Sequence, residues 1–416
     1  MQEIPHDPGL DNSLAFLNEA YTFIPERCAR YESDVFTTRL LSSTVYCVSG
    51  AEAARMFYTP GRFTRNGAMP PTTLRLLQDK NSVQTLDGEP HRHRKQMFMD
   101  LVTPARRKSL VAIAEQEWRR GIDRWANEDE IVLLDAVREV LCRAACNWSG
   151  VPLDDEEATE RSREFGAMID GAASFGPRVA KGLWLRRRTE RWARRLIERV
   201  RSGELAPEAN SALATIAQHE DLEGQRLDQS TAAVELINML RPVVAVARFI
   251  TCSALALYEH PEARKYLVSG DEYARRHFAQ EVRRFYPFFP CIGGRVREPF
   301  EWRGHRFEQG EWVLLDIYGT NHDPRIWNEP QAFRPQRFAE QEVDAYSFIS
   351  QGGGDLYRGH RCPGEGVAVD LIEVALNMLT TGMTYEIPYQ DMTVDPREMP
   401  AAPRERFRMR KVRARD

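Results

Sequence analysis

Apolar positions recur at helical spacing along most of the chain. From about residue 90 to 265, segments such as 115–119, 133–148 and 185–200 line one face with apolar side chains and the other with charges, the signature of packed amphipathic helices. A helix over 13–31, with Ser13 at its N-cap, opens the pattern, and another over 364–382 closes it. Period-two alternation is confined to two regions. One lies at 35–49; the other follows residue 290, where strand-like pieces at 300–303, 306–307 and 312–315 are separated by the turn signals Arg303-Gly304 and Gln309-Gly310. Residues 203–210, the Pro-rich 323–338 and the Gly-rich 351–359 read as loops. The pattern predicts a mainly α fold with a minor β portion, held chiefly in 35–65 and 290–320, as a single domain over residues 1–416.

The longest helical run, 228–258, is apolar on almost every side, which predicts burial on every side. At a rise of ~1.5 Å per residue it would cross a whole domain. Glu235, Arg241 and Arg248 interrupt it, so it reads as a core helix and not a membrane span. Pro242 removes a backbone donor and predicts a kink there. Arg241, beside it, needs an anionic partner, because an unpaired buried charge is costly. That partner is either an acidic side chain elsewhere in the chain or a ligand carboxylate held by the guanidinium fork.

Composition narrows the classes. The chain has 416 residues, 42% hydrophobic and 28% charged, as expected of a globular protein. A net charge of −4 gives no basic excess for nucleic acid. The local basic runs, 186–188 with Arg191, Arg194 and Arg195, read as a solvated helix face. Seven cysteines, an odd and sparse set, argue against a disulfide framework and for a reducing, cytoplasmic location. Cys142 and Cys146, one helical turn apart, read as buried small apolar residues. The N-terminal run has no basic segment followed by an apolar one, so neither a leader nor a membrane anchor is expected.

Three segments carry the candidate chemistry. The first is Gly352-Gly-Gly-Asp-Leu-Tyr-Arg-Gly-His360-Arg-Cys362-Pro-Gly-Glu, a lone cysteine between a Gly-rich loop and a helix start, where backbone N–H groups favour a thiolate able to ligate iron. The second is Glu281-Val-Arg-Arg284, an acid–base pair one turn apart. The third runs from Asn321-His-Asp-Pro to Pro335-Gln-Arg337-Phe, a proline-rich meander whose arginine can join Glu281 and Arg284. In this order and spacing they resemble the cytochrome P-450 superfamily along essentially the whole chain.

The resemblance implies the P-450 fold, with 228–258 as the helix over a haem b and Cys362 as axial iron ligand. It places His91 and Lys95 (in Asp87-Gly-Glu-Pro-His91-Arg-His-Arg-Lys95), with Arg65, Arg295 and His360, as haem contacts. Most members carry an acid–alcohol pair midway along the central helix; here that window reads Ile237-Asn-Met-Leu-Arg241-Pro242. This departure, and the lengthened cysteine loop, resemble the fatty-acid peroxygenase branch, and most of all its bacterial fatty acid α-hydroxylases. That branch implies hydrogen peroxide as oxidant, a long-chain fatty acid whose carboxylate pairs with Arg241 as catalytic partner, and no obligatory redox partner. Arg241, Pro242 and Gln84 become the expected catalytic residues. Phe288 and Leu77, with Arg241 and Gln84, become substrate contacts. Gln84 stands where a histidine accompanies decarboxylation to terminal alkenes, and cannot titrate, which favours hydroxylation. The rival readings are a decarboxylase, a reductase-fed monooxygenase, and a non-catalytic haem or fatty-acid carrier.

Overall fold

The apolar run at 228–258 builds the axis of the molecule. In the computed structural model, which describes residues 4–172, 176–269 and 271–415, it forms the helices Gln229–Ala245 and Ala247–Glu259. Asp228 caps the start, its carboxylate accepting from the N–H groups of Ser230 and Thr231. By length and composition this rod passes for a membrane span, but 94% of its most apolar stretch is buried inside the fold. The disturbance expected at Pro242 falls one turn later. The proline stays helical, and the rod breaks at Val246, whose N–H turns to the carbonyl of Val243 at 3.2 Å. The ring removes only the bond donated from position 242; the tightened turn beyond it ends the first segment.

The other long helices pack around this rod. Leu133–Trp148 runs against both halves, Pro177–Arg201 against the first and Glu365–Asn377 against the second. Cys142 and Cys146 are fully buried among apolar neighbours, as their spacing suggested. The N-terminal helix departs from expectation. It divides into Ser13–Glu19 and Phe23–Tyr31 at Ala20, where φ is 49°. Ser13 does not cap it: its Oγ accepts from the N–H of Leu41 at 2.7 Å and pins a neighbouring turn. The last helix ends as α-helix at Asn377 and continues as a π turn over Met378–Gly382.

The β portion lies where the alternation placed it, with one addition. A five-stranded sheet runs Val35–Leu40, Ser43–Val48, Trp312–Asp316, Cys291–Val296, Phe63–Thr64 across its width, with the second and third strands parallel. A hairpin joins Phe300–Trp302 to His305–Phe307. The addition is a sheet of Glu130–Val132, Arg408–Ala414 and Met383–Glu386, which ties the C-terminus back to the helical body.

The acid–base pair and the meander meet as predicted. Glu281 is wholly buried and accepts from Arg284 at 2.7 and 2.8 Å and from Arg337 at 3.1 Å. Both arginines spend their remaining donors on meander carbonyls, Arg284 on those of Asn321 and Pro330 and Arg337 on that of Asn328. Removing one member of such a buried set costs about 3–5 kcal/mol, because it strands the others.

Candidate active site

The interior of the central helix carries three charges, Glu235, Arg241 and Arg248, and all three are buried. Arg248 is paired with Asp170 at 2.6 Å and bonds the carbonyl of Ala401 at 2.7 Å. Glu235 accepts from Arg94 at 2.9 Å. Arg241, 7% exposed, has no carboxylate partner among the described residues. One of its Nη atoms donates to the carbonyl of Leu77, the last residue of the short helix Pro71–Leu77, and its Nε has no partner. Burial, with a repulsive contribution from nearby Arg186, pushes its pKa down to about 9. Arg241 therefore stays protonated at neutral pH, buried, with a donor to spare.

One turn earlier the same face holds a polar chain that the sequence did not disclose. Glu235 accepts from the N–H of Val83 at 2.8 Å, from Arg94, and from Asn238 Nδ2 at 3.0 Å. Asn238 Nδ2 also reaches Gln84 Oε1 at 3.3 Å. The 3₁₀ turn Val83–Thr85 is thus fastened to the central helix, and Gln84 is brought beside it. Two turns beyond Arg241, Phe249 stacks on Phe288 with centroids 4.5 Å apart, and Tyr21 OH holds the Phe288 carbonyl at 3.0 Å. Arg241, Leu77 and Gln84 gather at one level of the helix, and Phe288 lies farther along an apolar wall.

Opposite stands the cysteine loop. Its glycines are needed for space: at Gly352 φ is 95°, and a Cβ at Gly353 would come within 2.6 Å of the Ala345 carbonyl oxygen. Cys362 is within electrostatic reach of Arg241. Burial raises its thiol, while the Gly364 N–H at the helix start lowers it, and Gln351 Nε2 lies 3.8 Å from its sulfur. Lys95 clamps the loop, donating to the carbonyls of Gly359 and Arg361. His91 and His360 face each other with ring centroids 4.0 Å apart. Arg65, buried beside them, donates to the Gly293 carbonyl at 2.6 Å.

These four groups repel one another. Burial, Lys95 and neighbouring arginines lower His91 to about 4; burial, Arg65, His91 and Lys95 also lower His360, and burial lowers Lys95 to about 8. Neither histidine is charged at neutral pH, so each offers a neutral N–H. Arg295, paired in the sheet with Thr64, has its guanidinium over Trp312 and donates to the carbonyls of Gly67 and Gly310.

Comparison with known proteins agrees with this arrangement. The cytochrome P450 profile matches residues 276–400. A solved variant of cytochrome P450SP alpha (CYP152B1) is 44% identical, with a TM-score of 0.96 over 98% of this chain and 100% of its own. Cytochrome P450EX alpha (CYP152N1), solved with myristic acid, is 40% identical at TM-score 0.96, covering 100% of both chains. A variant of cytochrome P450 OleT, solved with arachidonic acid, is 31% identical at the same TM-score over 100% of this chain and 99% of its own. Among curated proteins, the putative cytochrome P450 138 of Mycobacterium tuberculosis is 23% identical over 415 residues, 91% of this chain and 88% of its own. The chain belongs to the cytochrome P450 family, and is a P450 enzyme. Its full-length solved relatives at 40–44% identity carry the CYP152 designation.

Family membership implies a haem, and the residues fit one. A thiol stands at a helix start with an N–H and an amide directed at its sulfur. Next to it lies a basic cluster of Arg65, Lys95, His91 and His360, none of which is ion-paired with a carboxylate among the described residues. A dianionic ligand supplies what that cluster lacks.

Proposed function

We propose that this P450 is a fatty-acid peroxygenase that hydroxylates long-chain fatty acids at the α carbon, with some β product, using hydrogen peroxide and no redox partner. One observation carries the reading: Arg241 is a buried, protonated guanidinium with a free donor and, among the described residues, no carboxylate partner. Relatives solved with myristic acid, arachidonic acid and (R)-ibuprofen support it, since all three ligands are carboxylic acids.

The balance is R–CH2–COOH + H2O2 → R–CH(OH)–COOH + H2O. Cys362 would hold the haem iron and Arg65, Lys95, His91 and His360 its carboxylates; when bound, haem would supply peroxide activation and the oxidising chemistry. The chain's own residues do the rest. Arg241 holds the substrate carboxylate and so places Cα and Cβ nearest the oxidant. Pro242 removes one backbone donor from the ladder beside Arg241, and Gln84 borders this level. Leu77 and Phe288 line the way for the alkyl tail. A proton must move during peroxide cleavage, and this wall offers no free titrating group. Glu235 has both oxygens engaged, Asn238 and Gln84 do not titrate, and Arg241 stays protonated. The substrate's own carboxyl is left as general acid–base group.

The test is product analysis by mass spectrometry with haem-loaded protein, a long-chain fatty acid and hydrogen peroxide, without NADPH or reductase. A 2-hydroxy acid is expected as main product, and Arg241→Ala should lower kcat/KM at least 100-fold. Product that needs a reductase system would return the protein to the conventional monooxygenases. Terminal alkene as main product would make it a decarboxylase.

A further inference from the structure

The network behind Gln84 has a direction, and that direction sets which face of the amide reaches the pocket. Glu235 is wholly buried, and its oxygens receive the Val83 N–H, an Arg94 Nη and Asn238 Nδ2. A carboxylate paired with arginine only accepts. Asn238 must therefore turn its NH2 toward Glu235, and its Oδ1 is left buried without a partner. The second hydrogen on that NH2 faces Gln84 at 3.3 Å, so Gln84 must present Oε1 to it. Gln84 Nε2, with two N–H groups, is then the end that is free.

We propose that Asn238, oriented by Glu235, is a positioning residue that fixes the Gln84 amide with its N–H groups toward the site of peroxide and carboxylate binding. The inference rests on the proposed function. The pocket wall becomes a pair of donors, the Arg241 guanidinium and the Gln84 amide, set for a ligand that brings lone pairs. A reversed Gln84 would offer a carbonyl instead, and would repel the carboxylate that Arg241 attracts. The orientation follows from an acceptor at one end of a three-membered chain, and needs no contact between Asn238 and substrate.

A double-mutant cycle tests it in the holoenzyme. Asn238→Leu keeps the branched outline and heavy-atom count of the side chain and removes both bonds. It should raise KM for hydrogen peroxide about tenfold and weaken the calorimetric fatty-acid Kd about three- to tenfold, because the Gln84 N–H groups are no longer held toward the carboxylate while Arg241 is untouched. In a Gln84→Leu background the same change should have no further effect, since Asn238 then has nothing to orient. Additive losses in the double variant would overturn the proposal. A second reading does not depend on turnover: in protein labelled with 15N-glutamine, the two Nε2 protons of Gln84 should give distinct, fixed resonances that collapse toward free-amide positions in Asn238→Leu. A wild-type Gln84 amide already at free-amide positions would also overturn it. Should wild-type enzyme ignore peroxide, the proposed function fails, and the labelling experiment still decides the orientation.

Discussion

Arg241 and Arg248 lie two turns apart on one helix, both buried, and differ in what faces them. Arg248 shares Asp170 with Arg138, at 2.6 and 2.5 Å. Asp170→Asn should therefore leave Arg248 without a counter-charge and Arg138 with only the half-exposed Asp135, and cost about 3 kcal/mol of stability, read by denaturant unfolding. Arg241 has no such partner, and its behaviour should show in ligand binding. Its lowered pKa of about 9 means that the charge needed by a carboxylate is fully present at neutral pH and lost as pH rises through that value. Fatty-acid affinity should be flat to about pH 8 and fall by up to ~10-fold per unit above 9, levelling only where the carboxylate-bound guanidinium itself titrates. Affinity unchanged at pH 10.5 together with undiminished affinity in Arg241→Ala would show that Arg241 does not hold the acid. Much at this scale was legible in the sequence. Cys362, Glu281, Arg284 and Arg337 stand in motifs with fixed spacing, and Arg241 was conspicuous as a charge in an apolar run. Glu235 was not legible as the anchor of the turn that carries Gln84. It read as a mere interruption, because Arg94, which explains it, lies 141 residues away. Arg295 donates to backbone carbonyls at the sheet, partners that no motif announces.

Among the elements, the cysteine loop depends on a helix distant in sequence. Lys95, on the helix Gly88–Leu101, reaches across to two loop carbonyls. Hydrogen bonds from a charged donor contribute about 1.5–3 kcal/mol each. Lys95→Met keeps the stem's packing and removes them, so haem transfer to an acceptor protein should speed up at least ~10-fold. An unchanged rate would mean the loop holds itself. The strong periodicities gave helices with close bounds, Leu133–Trp148 among them. The weak ones failed for physical reasons. Arg408–Ala414 buries only Met409 and Val412 among arginines and a lysine, too few apolar positions to signal a strand. The division at Ala20 lies in backbone dihedrals that an apolar pattern does not encode. The break at Val246 is a displaced response to Pro242, so the residue that caused it was visible and its position was not.

Across the whole molecule the sheets sew distant parts of the chain together. Ser43–Val48 pairs with Trp312–Asp316, and Arg408–Ala414 pairs with Glu130–Val132. Such crossings leave no place where the chain divides cleanly, and haem-loaded protein should unfold in one calorimetric transition; two resolved transitions would reveal separate domains. The solitary charge of Arg241 has a consequence for timing. Without substrate, the pocket's wall can only donate hydrogen bonds, and no base is free to take up a proton. Oxidant that arrives first meets a site lacking a component, which only the fatty acid delivers. Under the proposed mechanism the substrate is thus also the ignition key. The enzyme can sit in peroxide without spending it or damaging itself, and begins work when a carboxylate arrives beside Arg241.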